Sequence, residues 1–480
     1  MNSRLNKLDS NRTPIDLAGP GLEARLAATL RRASDKARHD GHPVLVSVTE
    51  PVRSADPLAL FGAAAETCAD RLLWIQPEAG LALAGIGAAY VVQTSGPDRF
   101  AETAQQWATL CSDALIDSPN PSCGPLLMGG FSFDAGQAVS SAWRGYADGR
   151  MVLPRVCLTV HRGCLFLTLN AVMRPDGPGD SEAAELCRLR NLVAVESLPP
   201  RNGFSCAKPR LSELGSARWR EEVALAAQAV RRGELGKVVL ARAVRLETDR
   251  DFDSVTALRR LAADYPTCVV FAVAQGERCF LGATPERLLR VCGGEVSTTC
   301  LAGSYPRGAD AQSDRQLAAQ LLADPKERRE HALVLSAMVE TLSAGCSRLE
   351  FPEMPSVLKL PNVHHLCTPL SGRLLPGRSV LQIVEQLHPT PSVGGQPREL
   401  ALKFIREREA LDRGWYAGAV GWVDHRGEGE FAVAIRAALL CGAQATLFAG
   451  CGIVADSDPE REYAESCIKL TPMLTALGAC

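Results

Sequence analysis

The segment Trp415–Val454, WYAGAVGWVDHRGEGEFAVAIRAALLCGAQATLFAGCGIV, holds three strand-like runs in succession: WYAGAVGWV, FAVAIRAALL and ATLFAGCGIV. Small, β-branched and aromatic residues of this kind suit a pleated, buried surface. Strands that follow one another do not show regular βαβ alternation. The segment therefore predicts largely antiparallel sheets and an α+β fold.

Immediately after it, the chain turns from glycine and apolar residues to DSDPEREYAESCIKL, in which Glu462, Glu465 and Lys469 are spaced by three and four. That spacing puts all three on one helix face. One reading is an exposed Glu–Lys pair on a solvated face. The other starts from AGCGIV, whose glycines let backbone N–H groups approach an anion, with further donors from the helix N-terminus that follows.

Moving outward, helical patterns occupy Lys326–Leu342, Val380–Leu387 and Pro397–Leu411, and KVVLARAVRLE from Lys237 reads as a strand. Trp219, Val223, Ala226, Ala227 and Val230 recur at helical spacing, with Ser216 as N-cap and Gly233 as the stop. Nearer the N-terminus, PVLVSVTE and LLWIQPEAGLALAGIG predict strands and RFAETAQQWATLCSDAL an amphipathic helix. The connection LPPRNGFSCAKPRLSELG, Leu198–Gly215, separates a motif-poor part, residues 1–205, from a denser one, residues 206–480.

At 480 residues the chain is long enough for two or three units. Hydrophobic residues are 46% but aromatics only 5%, so the core must rest on Ala, Leu, Val and Ile. Lys plus Arg (52) nearly balances Asp plus Glu (54) without long runs of one sign, which argues against nucleic-acid and anionic-membrane partners. A small-molecule partner is favoured. The 17 cysteines are scattered and none form C-x-x-C, so they read as reduced, mostly buried small hydrophobes. MNSRLNKLDSNRTPIDLAGPG has no apolar signal core, and GLALAGIGAAYVV (Gly80–Val92) is short of the roughly 20 residues a spanning helix needs. A cytoplasmic protein is expected.

Several polar residues stand in contexts that carry two meanings. Glu330, in KERREHALVL, opens a helix with an apolar stripe Ala332, Leu335, Val339, Leu342. Alone it is a first-turn glutamate favoured by the helix dipole. Glutamates from separated helices also make a Mg2+ site, because Mg2+ takes few protein oxygens. Lys237 is an edge lysine or, if desolvated, a base. Arg436, expected on one strand face with Ala432 and Ala434, needs a carboxylate from protein or ligand. Glu286 follows Gly282 and Pro285 in FLGATPERLLR and reads as a helix cap or as an acid poised in a cleft.

In chain order, GKVVLAR, FLGATPERLLR, LAGSYPRG, KERREH, LHPTPSVGGQP, WYAGAVGW, FAVAIRAALL and AGCGIVADSDPEREYAESCIKL resemble the motifs of the chorismate-utilising enzymes, the anthranilate synthase component I-like superfamily. Within it the resemblance is nearest to isochorismate synthases of the salicylate and siderophore kind. It implies a sandwich of large antiparallel sheets with outer helices, of which residues 1–205 form part. It also implies Mg2+-dependent conversion of chorismate to isochorismate, with water added at C2 and the C4 hydroxyl lost, and a possible downstream isochorismate-pyruvate lyase.

By motif, Lys237 corresponds to the general base and Glu286 to the general acid. Glu330 and Glu465 correspond to Mg2+ ligands, with Glu462 beside them. Arg436, Tyr416, Lys469 and the amides around Gly450 and Gly452 correspond to groups that grip carboxylates, and His365, in NVHHL, to a site histidine. Ser304, Cys451 and Ser392 depart from the family's usual Thr, Ala and non-hydroxylic residue. The nearest alternative is salicylate synthase, which adds pyruvate elimination; anthranilate synthase component I lacks the counterpart of Lys237.

Overall fold

The computed structural model describes residues 20–120, 123–136, 140–177, 181–194, 209–360 and 363–479. The polar leader up to residue 19 and residues 198–208 of the connection lie outside the described residues. Strands from the N-terminal half are β1 (Val44–Val52), β2 (Asp70–Gln76), β3 (Leu81–Thr94), β4 (Leu115–Asp117), β5 (Leu126–Phe131), β6 (Gly149–His161) and β7 (Cys164–Met173). Then come β8 (Arg210–Leu214), β9 (Lys237–Glu247), β10 (Val269–Gln275), β11 (Arg278–Thr284), β12 (Arg287–Cys292), β13 (Glu295–Pro306), β14 (Cys346–Glu350) and β15 (Ser356–Lys359). The last are β16 (Val363–Leu374), β17 (Gly395–Gln396), β18 (Ala419–Asp424), β19 (Gly429–Val433), β20 (Ala437–Cys441) and β21 (Gln444–Ile453).

Helices α1 (Pro20–Asp40), α2 (Pro57–Ala63), α3 (Arg99–Ser112) and α4 (Ser181–Arg190) belong to the first half. The second half contributes α5 (Ser216–Arg231), α6 (Ser254–Asp264), α7 (Ala311–Ala323), α8 (Pro325–Ser343), α9 (Val380–Leu387), α10 (Arg398–Arg408) and α11 (Pro459–Ala476).

The strands hydrogen-bond in the order β8–β9–β21–β20–β11–β10–β2–β3–β6, all antiparallel. At β6 the sheet divides. Its C-terminal half continues through β7 and β1, and its N-terminal half through β5, β18, β19, β12, β13 and β16. Only β1–β4 is parallel among the described pairs. The α+β, antiparallel architecture is therefore as expected. Pairs β2–β10 and β5–β18 join residues before 205 to residues after 206. Two apolar clusters form the core, one around Trp74, Phe131, Phe280 and Trp415 and one around Val46, Leu73, Leu281 and Leu447. GLALAGIGAAYVV lies in β3, and no described helix is long and apolar enough to cross a membrane.

Four local expectations need correction. The N-cap of α5 is Gly215, at φ 69, with Ser216 already helical; a left-handed entry suits the residue without a Cβ. The buried face of α8 runs Glu327, His331, Val334, Met338, Leu342, while Ala332 is exposed and Leu335 and Val339 pack at its flank. FAVAIRAALL is two strands, because the chain turns at Arg436, whose φ of 52 ends the pleat that Ala432 and Ala434 would have shared with it. Glu286 caps no helix: it occupies the corner between β11 and β12.

Candidate active site

One cavity of about 130 Å³ gathers side chains from distant parts of the chain. Lys237 enters from the first residue of β9, Glu286 from the β11–β12 corner, Glu327 and Glu330 from α8, and Ser304 and His365 from β13 and β16. Tyr416 and Arg436 come from irregular backbone beside β18 and β20, and Glu462, Glu465 and Lys469 from α11. All eleven residues singled out from the sequence, including Gly450 and Gly452 on β21, line this cavity.

Local sequence explains much of the placement. Asp458 caps α11 by accepting from Arg461 N–H at 3.0 Å, and with Pro459 next it fixes where the helix begins. Glu462, Glu465 and Lys469 then project from one face. A register shift between Leu301 and Ser304 brings Ser304 Oγ to 2.7 Å from His365 Nδ1. Gly452 leaves the room through which Lys237 passes: a Cβ there would lie 2.5 Å from Lys237 Cε. Its absence of a side chain serves the lysine.

Lys237 Nζ donates to Glu330 Oε1 at 2.6 Å, and Lys469 Nζ to Glu465 Oε1 at 2.6 Å and to the Gly450 carbonyl at 2.9 Å. The Lys469 ammonium holds the Glu465 carboxyl below its usual range against the pull of burial. Glu462 is pushed the other way, first by burial and then by Glu465. Glu327, which accepts from Ser304 N–H at 2.9 Å, is raised by burial and then by Glu330.

Glu286 is buried, and desolvation raises its pKa, opposed by a hydrogen bond that Ser392 Oγ donates to Oε1 at 2.5 Å and by Lys237, Arg436 and Lys469. His365 falls to about 3, through burial and then through Arg436 and Lys469, so its ring is neutral. Tyr416 is pushed up to about 12 by burial and keeps its proton.

Arg436 is buried, yet its guanidinium has no carboxylate or carbonyl partner among the described residues. A desolvated, unpaired arginine facing a cavity is a receptor for an anion. The crowded carboxylates form a complementary receptor for a cation. Oxygens of Glu462 and Glu465 lie within 4.8 Å of each other and of Cys451 Sγ, and Glu330 lines the same cavity from α8. An oxygen-rich set of this kind suits a hard divalent ion. Cys451 was expected only as a small replacement; its thiol donates to the Glu462 carbonyl at 3.3 Å beneath the carboxylates.

Sequence reading also passed over Glu327, Glu409 and Arg413. Glu327 stands one turn before Glu330 in KERREH, so helical spacing carries a signal for that pair, whereas Glu409 and Arg413 lie beyond the end of α10 and are brought together by the loop.

Residues 30–478 match the family described as chorismate binding enzyme. The isochorismate synthase MenF of Bacillus subtilis (strain 168) is 38% identical over 455 residues, which cover 93% of this chain and 96% of that protein. The salicylate biosynthesis isochorismate synthase of Pseudomonas aeruginosa is 38% identical over 458 residues, covering 95% and 94%. Among solved structures, the menaquinone-specific isochorismate synthase MenF of Escherichia coli superposes with a TM-score of 0.75 at 27% identity, over 94% of this chain and 100% of that one. Anthranilate synthase component I of Streptococcus pneumoniae TIGR4 shares the fold, with a TM-score of 0.68 at 20% identity over 82% and 92%.

Proposed function

The chain belongs to the chorismate-binding enzymes, and from that premise we infer that it is an isochorismate synthase, converting chorismate to isochorismate with Mg2+. The observation that carries this reading is the lysine in the cavity: Lys237 Nζ shares one pocket with the acid Glu286 and the unpaired Arg436. Water is the nucleophile such a base serves.

Chorismate is a dicarboxylate with a six-membered ring. Arg436 and Lys469 bind its carboxylates, Tyr416 donates its retained phenol hydrogen, and neutral His365 lines the ring site. Gly450 and Gly452, without side chains, let the backbone of β21 approach the ligand beside Tyr416 and Lys237. Lys237, once neutral, takes a proton from the water that attacks C2. The double bonds shift, and Glu286, whose burial favours the protonated form, delivers a proton to the departing C4 hydroxyl. One water is added and one is lost, so substrate and product are isomers. Orientation of reactants between base and acid supplies much of the rate.

Glu330, Glu462 and Glu465 would hold the Mg2+. When bound, the ion supplies positive charge at a substrate carboxylate. In this reading residues 206–480 carry the chemistry, while residues 1–205 contribute sheet and core. The isochorismate would pass to a separate lyase or to another isochorismate-consuming enzyme.

Incubation of the purified protein with chorismate and Mg2+, followed by chromatographic separation, tests the reading. Isochorismate is expected, with little pyruvate. Stoichiometric salicylate and pyruvate would reassign the protein as a salicylate synthase, and anthranilate formed on addition of ammonium would displace the role given to Lys237.

A further inference from the structure

The outer edge of β9 has a gap. Two-residue β17 pairs with Lys237 and Val238, the Gly394 carbonyl before it accepts from Val239 N–H at 3.0 Å, and β8 begins pairing only at Ala243, so among the described residues no strand lies beside Leu240–Arg242 on that side or meets the Val239 carbonyl. Two side chains fill the space. Glu409 Oε2 accepts from Ala241 N–H at 2.7 Å, and Arg413 Nη2 donates to the Val239 carbonyl at 2.7 Å. They are joined to each other as a fork, with Arg413 Nε 2.6 Å from Glu409 Oε1 and Nη2 2.7 Å from Oε2. Arg413 Nη1 donates to the Val393 carbonyl at 3.0 Å, and the guanidinium lies over the Phe133 ring, 4.2 Å from its centroid.

Arg413 lines the cavity, but these bonds commit four of its N–H groups, so it has no fork to offer a ligand carboxylate. Arg436 does. The Arg413 and Glu409 side chains are only 1% and 3% exposed, and a buried ion pair of this kind gives little net stability over well-packed apolar residues. Apolar residues would, however, leave the Ala241 N–H and Val239 carbonyl unpaired and would sever the tie to Val393. Val239 is two residues from Lys237, and Val393 adjoins Ser392, which holds Glu286.

We propose that Arg413, clamped by Glu409, is a positioning residue that sets the separation between Lys237 and Glu286, acting in place of a missing strand. The inference rests on the reading of those two residues as base and acid. Neither Arg413 nor Glu409 touches substrate in this scheme.

Steady-state kinetics of full-length Arg413→Lys test it, because lysine keeps the charge but not the planar fork. A displacement of about 1 Å should cost on the order of 100-fold in kcat, while KM for chorismate stays within about threefold because the carboxylate grips are untouched. Glu409→Gln should show the same split. A raised KM with kcat retained would make Arg413 a ligand-binding residue instead. A lower melting temperature with both constants retained would reduce the pair to an edge seal. Should both variants fail to fold, Phe133→Leu, which removes the ring beneath Arg413 and its edge contact with His388 but keeps a buried apolar side chain, is expected to lower kcat severalfold without moving KM, and an unchanged kcat overturns the proposal. Failure of the unaltered enzyme to make isochorismate would overturn the functional reading and the base–acid assignment with it; an unaffected variant overturns only the positioning role.

Discussion

Ser392 decides what Glu286 can do with its proton. With Glu286 ionised, the Ser392 hydroxyl hydrogen goes to Glu286 Oε1, and in the 2.5 Å contact between Thr390 Oγ1 and Ser392 Oγ the threonine is then the donor. This arrangement favours the ionised carboxylate, as do the facing cations Lys237, Arg436 and Lys469; burial opposes all four. In Ser392→Ala the hydrogen bond is lost and burial remains, so the pKa of Glu286 rises and its acid form persists to higher pH. The alkaline fall of kcat, read from a pH–rate profile, should therefore move upward. An unmoved limb, or one displaced downward, would mean that Glu286 is not the proton donor. Charged residue types in special contexts made the cavity largely legible in sequence. Arg436 shows the limit: the alternation in FAVAIRAALL hides a left-handed turn that only tertiary pairing, such as Ala417 N–H to the Ala434 carbonyl at 2.9 Å, imposes.

At the scale of elements, KVVLARAVRLE and Val380–Leu387 could be read to the residue because strong periodicity met clear end signals. The face of α8 could not, since its burial is set by what β13 and β16 present to it. His331, for example, lies 2.8 Å from Thr368 Oγ1 through Nε2, and its pKa is lowered by burial. The seam between β9 and β21 joins base and carboxylates through one glycine. Gly452→Ala suits a strand better by about 0.5–1 kcal/mol of backbone entropy, yet its methyl would occupy the path of the Lys237 side chain. Turnover should fall by about 100-fold with the melting temperature unchanged or raised. Near-normal turnover would show that Lys237 has another route into the cavity.

Across the whole molecule, the antiparallel plan followed from strand succession, whereas the division of the sheet at β6 depends on long-range partners that no local pattern encodes. The charges of the cavity are likewise a collective property. Lys237 and Lys469 now neutralise Glu330 and Glu465; Mg2+ would compete for those carboxylates, and chorismate would give Lys469 a different anion. Binding of the two must then be reciprocal. Calorimetry on Glu286→Gln, which cannot complete the reaction, should show Mg2+ tightened by chorismate by the same factor as chorismate by Mg2+, roughly 5- to 150-fold. Equal Mg2+ affinity with and without chorismate would refute the coupling. The seam has a further consequence while the chain is being made. Strand β9 finds its full-length neighbour only in β21, so after β9 leaves the ribosome about 200 residues, or on the order of 10–40 s of synthesis, must pass before its apolar edge is covered. During that interval the nascent chain exposes one unpaired edge of a buried-type strand, and that edge of β9 is where a holding chaperone, or another nascent copy, would find the chain vulnerable.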